Sequence, residues 1–404
     1  MFRFFVKTAK ARTVKPRRIP RGGILCLLLF LFLSCNQDAI FFHVSQEVEP
    51  KDPRIEGTPS KMVRFGSAAP VPLYVANGHL HRYTEGGTSL PNPARGIWDY
   101  PTEQPPGGAV DLAATAGFLY ARTGNGDPSS FGLYRSTDGD TWPGGAPASP
   151  TDGGRILLPG GYAPQTIYSA NNILFIGAAI GSGNYAIFYL DTSDNLVQIN
   201  TFTSGNASGG ILRGARHNSG TYYLATSTRG IFSLSALPSV GNNPTPNDTT
   251  NLIPNSNTKG EFWSLIEVTP SKFFAIGPGI WDVTVTDFSN TAPSPFLMSG
   301  SFKGSAFWPK PASSPSDLLL LGTHGSGYRE VSIDASGNLV SISTPRWSIP
   351  HGSTSEYNAM LDDETINYLC VLSEISANAD PVIFASTQRE GLWSYRNGEW
   401  NYED

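Results

Sequence analysis

Leu73-Tyr74-Val75-Ala76 is an apolar pulse that ends on a small residue, and the chain repeats it six more times. The later copies are Phe118-Leu119-Tyr120-Ala121, Leu174-Phe175-Ile176-Gly177, Tyr222-Tyr223-Leu224-Ala225, Phe273-Phe274-Ala275-Ile276-Gly277, Leu318-Leu319-Leu320-Leu321-Gly322 and Val382-Ile383-Phe384-Ala385. Counted between the small residues, the spacings are 45, 56, 48, 52, 45 and 63. A short apolar run bounded by turn residues reads as a buried strand. Recurrence at roughly 40–50 residues, with no helical periodicity between, is the period of a four-stranded propeller blade.

The flanks of each pulse agree. A strand-like run and a turn precede it, as Phe262-Trp263-Ser264-Leu265-Ile266 precedes the fifth copy. A glycine follows within two to six residues (Gly78, Gly124, Gly181, Gly230, Gly279, Gly325, Gly391), and then another apolar strand such as Leu392-Trp393-Ser394-Tyr395. Strand, turn, strand, glycine turn, strand is an antiparallel meander. The expectation is therefore an all-β chain: a seven-bladed β-propeller of four-stranded antiparallel blades over residues 61–404. The small residues are expected on innermost strands, where neighbours crowd at the axis. Stacked sandwiches are the competing all-β solution, but their alternation does not require the same end signature seven times. Leu237–Gly260 and Pro143–Gly154, rich in Pro, Asn, Thr or Gly, read as surface loops between blades.

The beginning of the chain is different in kind. Residues 1–23 carry eight basic side chains and no acid, followed by the apolar run Ile24–Leu33 and then Ser34-Cys35. A basic region, a short apolar core and a small residue form a secretory signal peptide, here residues 1–34. The ten-residue run is short for a bilayer span, which takes about 20 residues. Leu31-Phe32-Leu33-Ser34-Cys35 resembles the lipobox of bacterial lipoproteins, in the relaxed form found among spirochaetes, with Phe32 where Leu is usual. That resemblance implies lipidation of Cys35, a membrane anchor through it, and a place in the bacterial cell envelope, on the periplasmic face or the cell surface. Residues 35–60 then read as the lipidated end and a tether, Pro- and charge-rich from Glu47 to Pro59. Its more apolar part, Ala39–Val44, reads as a segment able to pair with an edge strand.

The chain holds 28 Lys and Arg against 33 Asp and Glu. Without the eight basic residues of the leader the balance is 20 against 33, or −13, which argues against the clustered positive footprint of a nucleic-acid binder. Of three cysteines, Cys26 would leave with the leader, and the lipobox resemblance implies that Cys35 takes the lipid. Cys370, inside the strand-like run Ile366–Leu372, reads as a small buried apolar residue.

Gly132-Leu133-Tyr134-Arg135-Ser136-Thr137-Asp138-Gly139-Asp140-Thr141-Trp142 resembles the Asp box (BNR repeat) of sialidase-like propellers. The resemblance covers this hairpin alone and implies a structural role for Ser136, Asp138, Gly139, Thr141 and Trp142. A sialidase-like activity would also call for an Arg-Ile-Pro signature near the first blade, and Arg18-Ile19-Pro20 falls in the leader instead.

No arrangement of residues calls for a cofactor. His79-x-His81 is the one close histidine pair, without a recognisable third metal ligand, and Asp362-Asp363-Glu364 lacks the spacing of a calcium loop. If the pulses are equivalent strands, the residues just after their small ends share one face of the disc. Asn77, Arg122, Arg229, His324 and Arg389 would then form a positive rim in an acidic body, able to receive a carboxylate-bearing ligand. The reading is a membrane-anchored binding or scaffold module with a protein or glycan partner; a glycan-directed hydrolase is the alternative.

Overall fold

The computed structural model describes residues 55–403, apart from 56, 68–70, 85–96, 125–130, 143–154, 182–183, 203–210, 228–229, 239–249, 254–261, 284–295, 310–315, 341–360, 362–363, 373–381 and 397–398. The chain divides into Met1–Asp52 and Pro53–Asp404, and everything described belongs to the second unit. The leader, Cys35, residues 39–44, the 143–154 segment and Asp362-Asp363 lie outside the described residues.

The described residues are built of strands, with one short 3-10 turn at Pro159–Gly161. They form seven antiparallel sheets in chain order. The first is β1 (Met62–Arg64), β2 (Leu73–Ala76), β3 (Leu80–Thr84) and β4 (Ile97–Asp99); the second is β5 (Asp111–Ala114), β6 (Leu119–Thr123) and β7 (Gly132–Ser136). The third comprises β8 (Ala163–Ala170), β9 (Ile173–Ile180), β10 (Asn184–Leu190) and β11 (Leu196–Phe202). The fourth is β12 (Leu212–Asn218), β13 (Thr221–Thr226), β14 (Gly230–Leu234) and β15 (Thr250–Ile253). The fifth holds β16 (Ser264–Thr269), β17 (Lys272–Ile276), β18 (Gly279–Asp282) and β19 (Phe296–Ser299). Next come β20 (Phe302–Trp308), β21 (Asp317–Thr323) and β22 (Tyr328–Ile333), then β23 (Ile366–Leu372), β24 (Val382–Thr387), β25 (Leu392–Arg396) and β26 (Glu399–Tyr402). The Leu237–Gly260 segment is thus not all loop, because β15 lies inside it and pairs with β14.

Every apolar pulse falls on the second strand of its sheet: β2, β6, β9, β13, β17, β21 and β24. This corrects the expectation that the pulses are innermost. The first strands β1, β5, β8, β12, β16, β20 and β23 pack on one another in succession and form the inner wall. Second strands are apolar throughout because neighbouring sheets cover both of their faces; every residue of β2 and of β24 is buried. The small terminal residue has a different cause from the one expected. A Cβ on Gly177 would lie 2.7 Å from Leu212 Cβ, and one on Gly322 would lie 2.6 Å from the Ile366 carbonyl oxygen. Leu212 and Ile366 each open the first strand of the next sheet, so the small residue marks where that strand crosses. Crowding of first strand on first strand appears instead at Gly214 and Gly304, whose added Cβ atoms would meet the backbone of Leu265 and Tyr368.

The turns after the second strands share a device. Thr226, Thr323 and Thr387 each donate the hydroxyl to a carbonyl four residues on, at Gly230, Gly327 and Gly391. The Thr323 and Thr387 oxygens also accept the amides of Ser326 and Glu390. These bonds satisfy groups that a tight turn would otherwise leave bare.

First and last sheets meet directly. Met62, Leu73, Val75, Tyr83 and Trp98 share one core with Leu372, Val382, Phe384 and Leu392. Residues 55–60, assigned to the tether from sequence, join this contact: Ile55 is buried, and the Ile55 and Gly57 carbonyls accept the amides of Leu392 and Gly391 at 3.1 Å. Buried Glu403 accepts hydrogen bonds from Trp98 Nε1 and Ser394 Oγ, tying the end of the chain to the first sheet. No helix among the described residues is long and apolar enough to cross a membrane.

Candidate functional site: a cation-lined axial cavity

The first strands run from one face of the ring to the other, and their opening residues surround a cavity of about 530 Å³. All seven sheets contribute through these strands or the residues just before them, among them Lys61, Asp111, Gln165, Arg213, Ser264, Lys303 and Tyr368. Antiparallel pairing puts the β2–β3 turn and its counterparts on this same face, which is why Gln388, from the β24–β25 turn, also lines the cavity. A smaller cavity of about 140 Å³ shares Lys61, Tyr168, Arg213, Ser264, Ser305 and Tyr368 with the first, and adds Arg216. These shared side chains form a belt around the axis.

Among the described residues the lining carries Lys61, Arg122, Arg213 and Lys303 against one carboxylate, Asp111. Asp111 is 6 % exposed and already engaged: Oδ1 sits 3.0 Å from Lys61 Nζ, and Oδ2 accepts the amide of Ile167 at 3.0 Å. Lys61 also donates to the Ile167 carbonyl and rests 3.4 Å from the Tyr168 ring centroid. Burial holds its pKa below the ordinary lysine value against the pull of Asp111, and the charges of Arg122 and Arg213 add to the lowering. Arg122 stands opposite Asp111 in the β5–β6 register and beside Phe131, and burial lowers its pKa too. Arg213 lies 4.4 Å from the Trp263 ring centroid and Lys303 Nζ 5.3 Å from the same indole. The Nε atoms of Arg122 and Arg213 are buried without a hydrogen-bond partner among the described residues. Burial raises the pKa of the Tyr168 and Tyr368 hydroxyls, so both stay neutral donors at ordinary pH.

The five rim residues named from sequence do not assemble as one group. Arg122 reaches the cavity. Asn77 is engaged within its own turn, where Oδ1 accepts the His79 amide and bonds His81 Nε2. His324 and Arg389 stand exposed on their turns and are not among the cavity-lining residues, and Arg229 lies outside the described residues. Sequence reasoning missed Lys61, Arg213, Lys303 and Trp263. A signal was available, since each sits at the head of the strand that precedes a pulse. Gly214, next to Arg213, pairs with Ala225 at the end of the fourth pulse.

The Asp138 hairpin is a closed hydrogen-bonded turn away from the cavity. Oδ1 accepts the Ser136 hydroxyl and the amides of Asp140 and Thr141, and Oδ2 accepts the Thr141 hydroxyl, all within 2.9 Å. Partial desolvation works to raise the Asp138 pKa, and these bonds outweigh it and bring the carboxyl down to about 2. Gly139 has φ +78°, and a Cβ there would lie 2.4 Å from the Tyr74 hydroxyl. Trp142 is buried with Tyr74 and Leu80, so the turn joins the second sheet to the first. Among the described residues no three His, Cys, Asp or Glu side chains come together as a metal site. His81 is buried on β3 beside Tyr100.

A belt of cations with one engaged carboxylate can hold an anion. No family model and no curated protein matches the chain. Among solved structures it is similar to YCF48 from Cyanidioschyzon merolae, at 12% identity and TM-score 0.47, over 84% of this chain and 95% of that one. BBS1N in complex with ARL6DN is similar at 9% identity and TM-score 0.44, over 86% and 94%. YCF48 bound to D1 peptide is similar at 14% identity and TM-score 0.46, over 86% and 94%. At such scores the strand order, and not the likeness, carries the description of the fold.

Proposed function

We propose that this chain is a binding module that receives an anionic group of its partner in the axial cavity. Four cations facing one engaged carboxylate, within a chain of net charge −5, is the observation that carries the reading. A low-dielectric, focused positive cavity concentrates anions and strengthens each contact made there. The seven sheets read as the seven blades of a β-propeller; in the second and sixth, Arg155 and Leu339 bridge to Tyr134 on β7 and Ile333 on β22 at the position of a fourth strand. The chain reaches the membrane through lipid on Cys35 after cleavage of the 1–34 leader, and works in the bacterial envelope. A glycan-directed hydrolase needs two carboxyl groups ~5–10 Å apart, whereas Asp111 is the one carboxylate among the described lining residues.

Calorimetric titration of the detergent-solubilised full chain with citrate, pyrophosphate and a glutamate-rich peptide tests the cavity. A charge-assisted contact contributes about 1.5–3 kcal/mol, so Arg213→Gln or Lys303→Gln weakens anion binding about ten- to a hundredfold. Should none of the three anions bind, or binding ignore both substitutions, the reading is wrong. The anchor is tested separately: Cys35→Ala moves the chain from the detergent phase to the aqueous phase, and retention in the detergent phase would sink that part.

A further inference from the structure

The reading of the cavity as an anion site can be taken to a ligand class, and the following rests on it. We propose that the cavity recognises a phosphorylated sugar, with the phosphate held by Arg122 and Arg213 and the sugar by the neutral side chains around them.

Charge comes first. Asp111 offsets Lys61 and gives both oxygens to partners within the ring. Arg122 and Arg213 line the same cavity as Lys61, and the charges of both act on it. Each keeps a buried Nε that lacks a hydrogen-bond partner among the described residues. A single carboxylate brings one negative charge to this pair, while a phosphate monoester brings nearly two and three acceptor oxygens. Lys303, held near the same indole as Arg213, adds a further cation on that side.

The remainder of the lining selects the body of the ligand. Gln165, Asn367 and Gln388 supply amides, and Ser264 and Ser305, bonded to each other at 2.8 Å, supply a hydroxyl pair. An amide offers donors and an acceptor from one group, and a hydroxyl offers both, which suits a polyol whose neighbouring hydroxyls do the same. A nucleobase is less favoured, because two of the three aromatic rings in the described lining are already covered. The rings of Tyr168 and Trp263 already carry the cations of Lys61 and Arg213. The volume of about 530 Å³ lies within the range of small-ligand sites and admits a mono- or disaccharide phosphate with ordered water. The phosphosugar can arrive as a free monoester or as a unit of an envelope polysaccharide, and the chemistry presented to the cavity is shared.

The test is calorimetric titration of the full chain in detergent with glucose 6-phosphate, a phosphomannan polymer, glucose, inorganic phosphate and a glutamate-rich peptide. Glucose 6-phosphate or the phosphomannan binds at least about tenfold more tightly than inorganic phosphate, and glucose alone binds weakest. Whichever of the two phosphosugars binds better identifies the source. Arg213→Gln and Arg122→Gln each weaken phosphosugar binding about tenfold or more. Gln165→Ala weakens the phosphosugar and leaves inorganic phosphate unchanged, a split that loss of folding would not produce. Thermal melts of each variant confirm that the ring is intact, and Lys303→Gln serves if an arginine variant fails to fold. If inorganic phosphate binds as tightly as both phosphosugars, or only the peptide binds, the sugar assignment is overturned and the anion site stands. If no anion binds, both readings fall.

Discussion

Gly322→Ala is the sharpest probe of how the sheets are held together. Gly322 ends the sixth pulse on β21, and its backbone is not in the left-handed region, so alanine meets no conformational penalty there. The penalty is spatial. The new Cβ would stand 2.6 Å from the Ile366 carbonyl oxygen and 2.9 Å from Ile366 Cβ and Cγ2, where ordinary contact begins at 3.4 Å. The close partners are backbone and a β-branched side chain, neither of which swings aside, so β21 and β23 must part by up to about 0.8 Å. Overpacking of this kind costs about 1–3 kcal/mol. With a urea m-value of about 3 kcal/mol/M, the unfolding midpoint falls by about 0.3–1 M at constant m. Gly117→Ala is the matched control, because nothing lies within 4 Å of its added Cβ. Tryptophan fluorescence in urea reads both. Equal midpoints for the two variants would refute the assignment of the small residue to contact between sheets.

Asp138→Asn removes a carboxylate held at about 2 by the bonds of its turn. Because the folded pKa is depressed, its contribution to stability is complete above about pH 4 and is lost as pH falls toward about 2. Urea midpoints of the native chain therefore decline across that window more steeply than those of the variant; parallel declines would remove Asp138 from the acid response. Glu403→Ala leaves Trp98 Nε1 and Ser394 Oγ facing a lost acceptor in a buried site. At about 1–3 kcal/mol for each stranded donor, the variant melts well below Glu267→Ala, a substitution at an exposed position, and identical melting would show that the end of the chain does not help to close the ring. Cys370 is half-buried and not the fully buried residue read from sequence, and this partial burial pushes its thiol up to about 12, with Arg64 pulling the other way. Near pH 8 its alkylation, followed by mass on the Cys370 peptide, is slower by about tenfold or more in the native chain than in urea, and equal rates would contradict the burial.

Particular residues show how far the sequence could be read. The run Leu318–Gly322 identified a buried strand correctly because burial on both faces leaves a continuous apolar signature in the chain itself. The same run was misplaced radially. Which strand of a sheet lies nearest the axis depends on how seven sheets tilt against one another, and a local pattern is silent about that. The Asp138 turn was legible, since its donors and acceptors lie within a few residues of one another. The strand β15 was not, because Pro- and Asn-rich flanks outweighed a four-residue strand whose partner, β14, supplies its pairing.

The cavity illustrates the other limit. Arg122 was named from its place after a pulse, but Lys61, Arg213 and Lys303 were passed over because each looks like an ordinary charged residue at the head of an alternating strand. Strand register decides which face such a residue takes, and a slip of one residue would turn it away from the axis.

By itself, the sequence determined an all-β chain of repeated antiparallel units and a closed Asp138 turn, because both are written in neighbouring residues. Only the tertiary structure decided that the pulses are second strands, that Ile55 and Glu403 help join the last sheet to the first, and that cations from residues 61 to 303 line one cavity. Those outcomes depend on closing the ring, which brings together groups that share no local pattern.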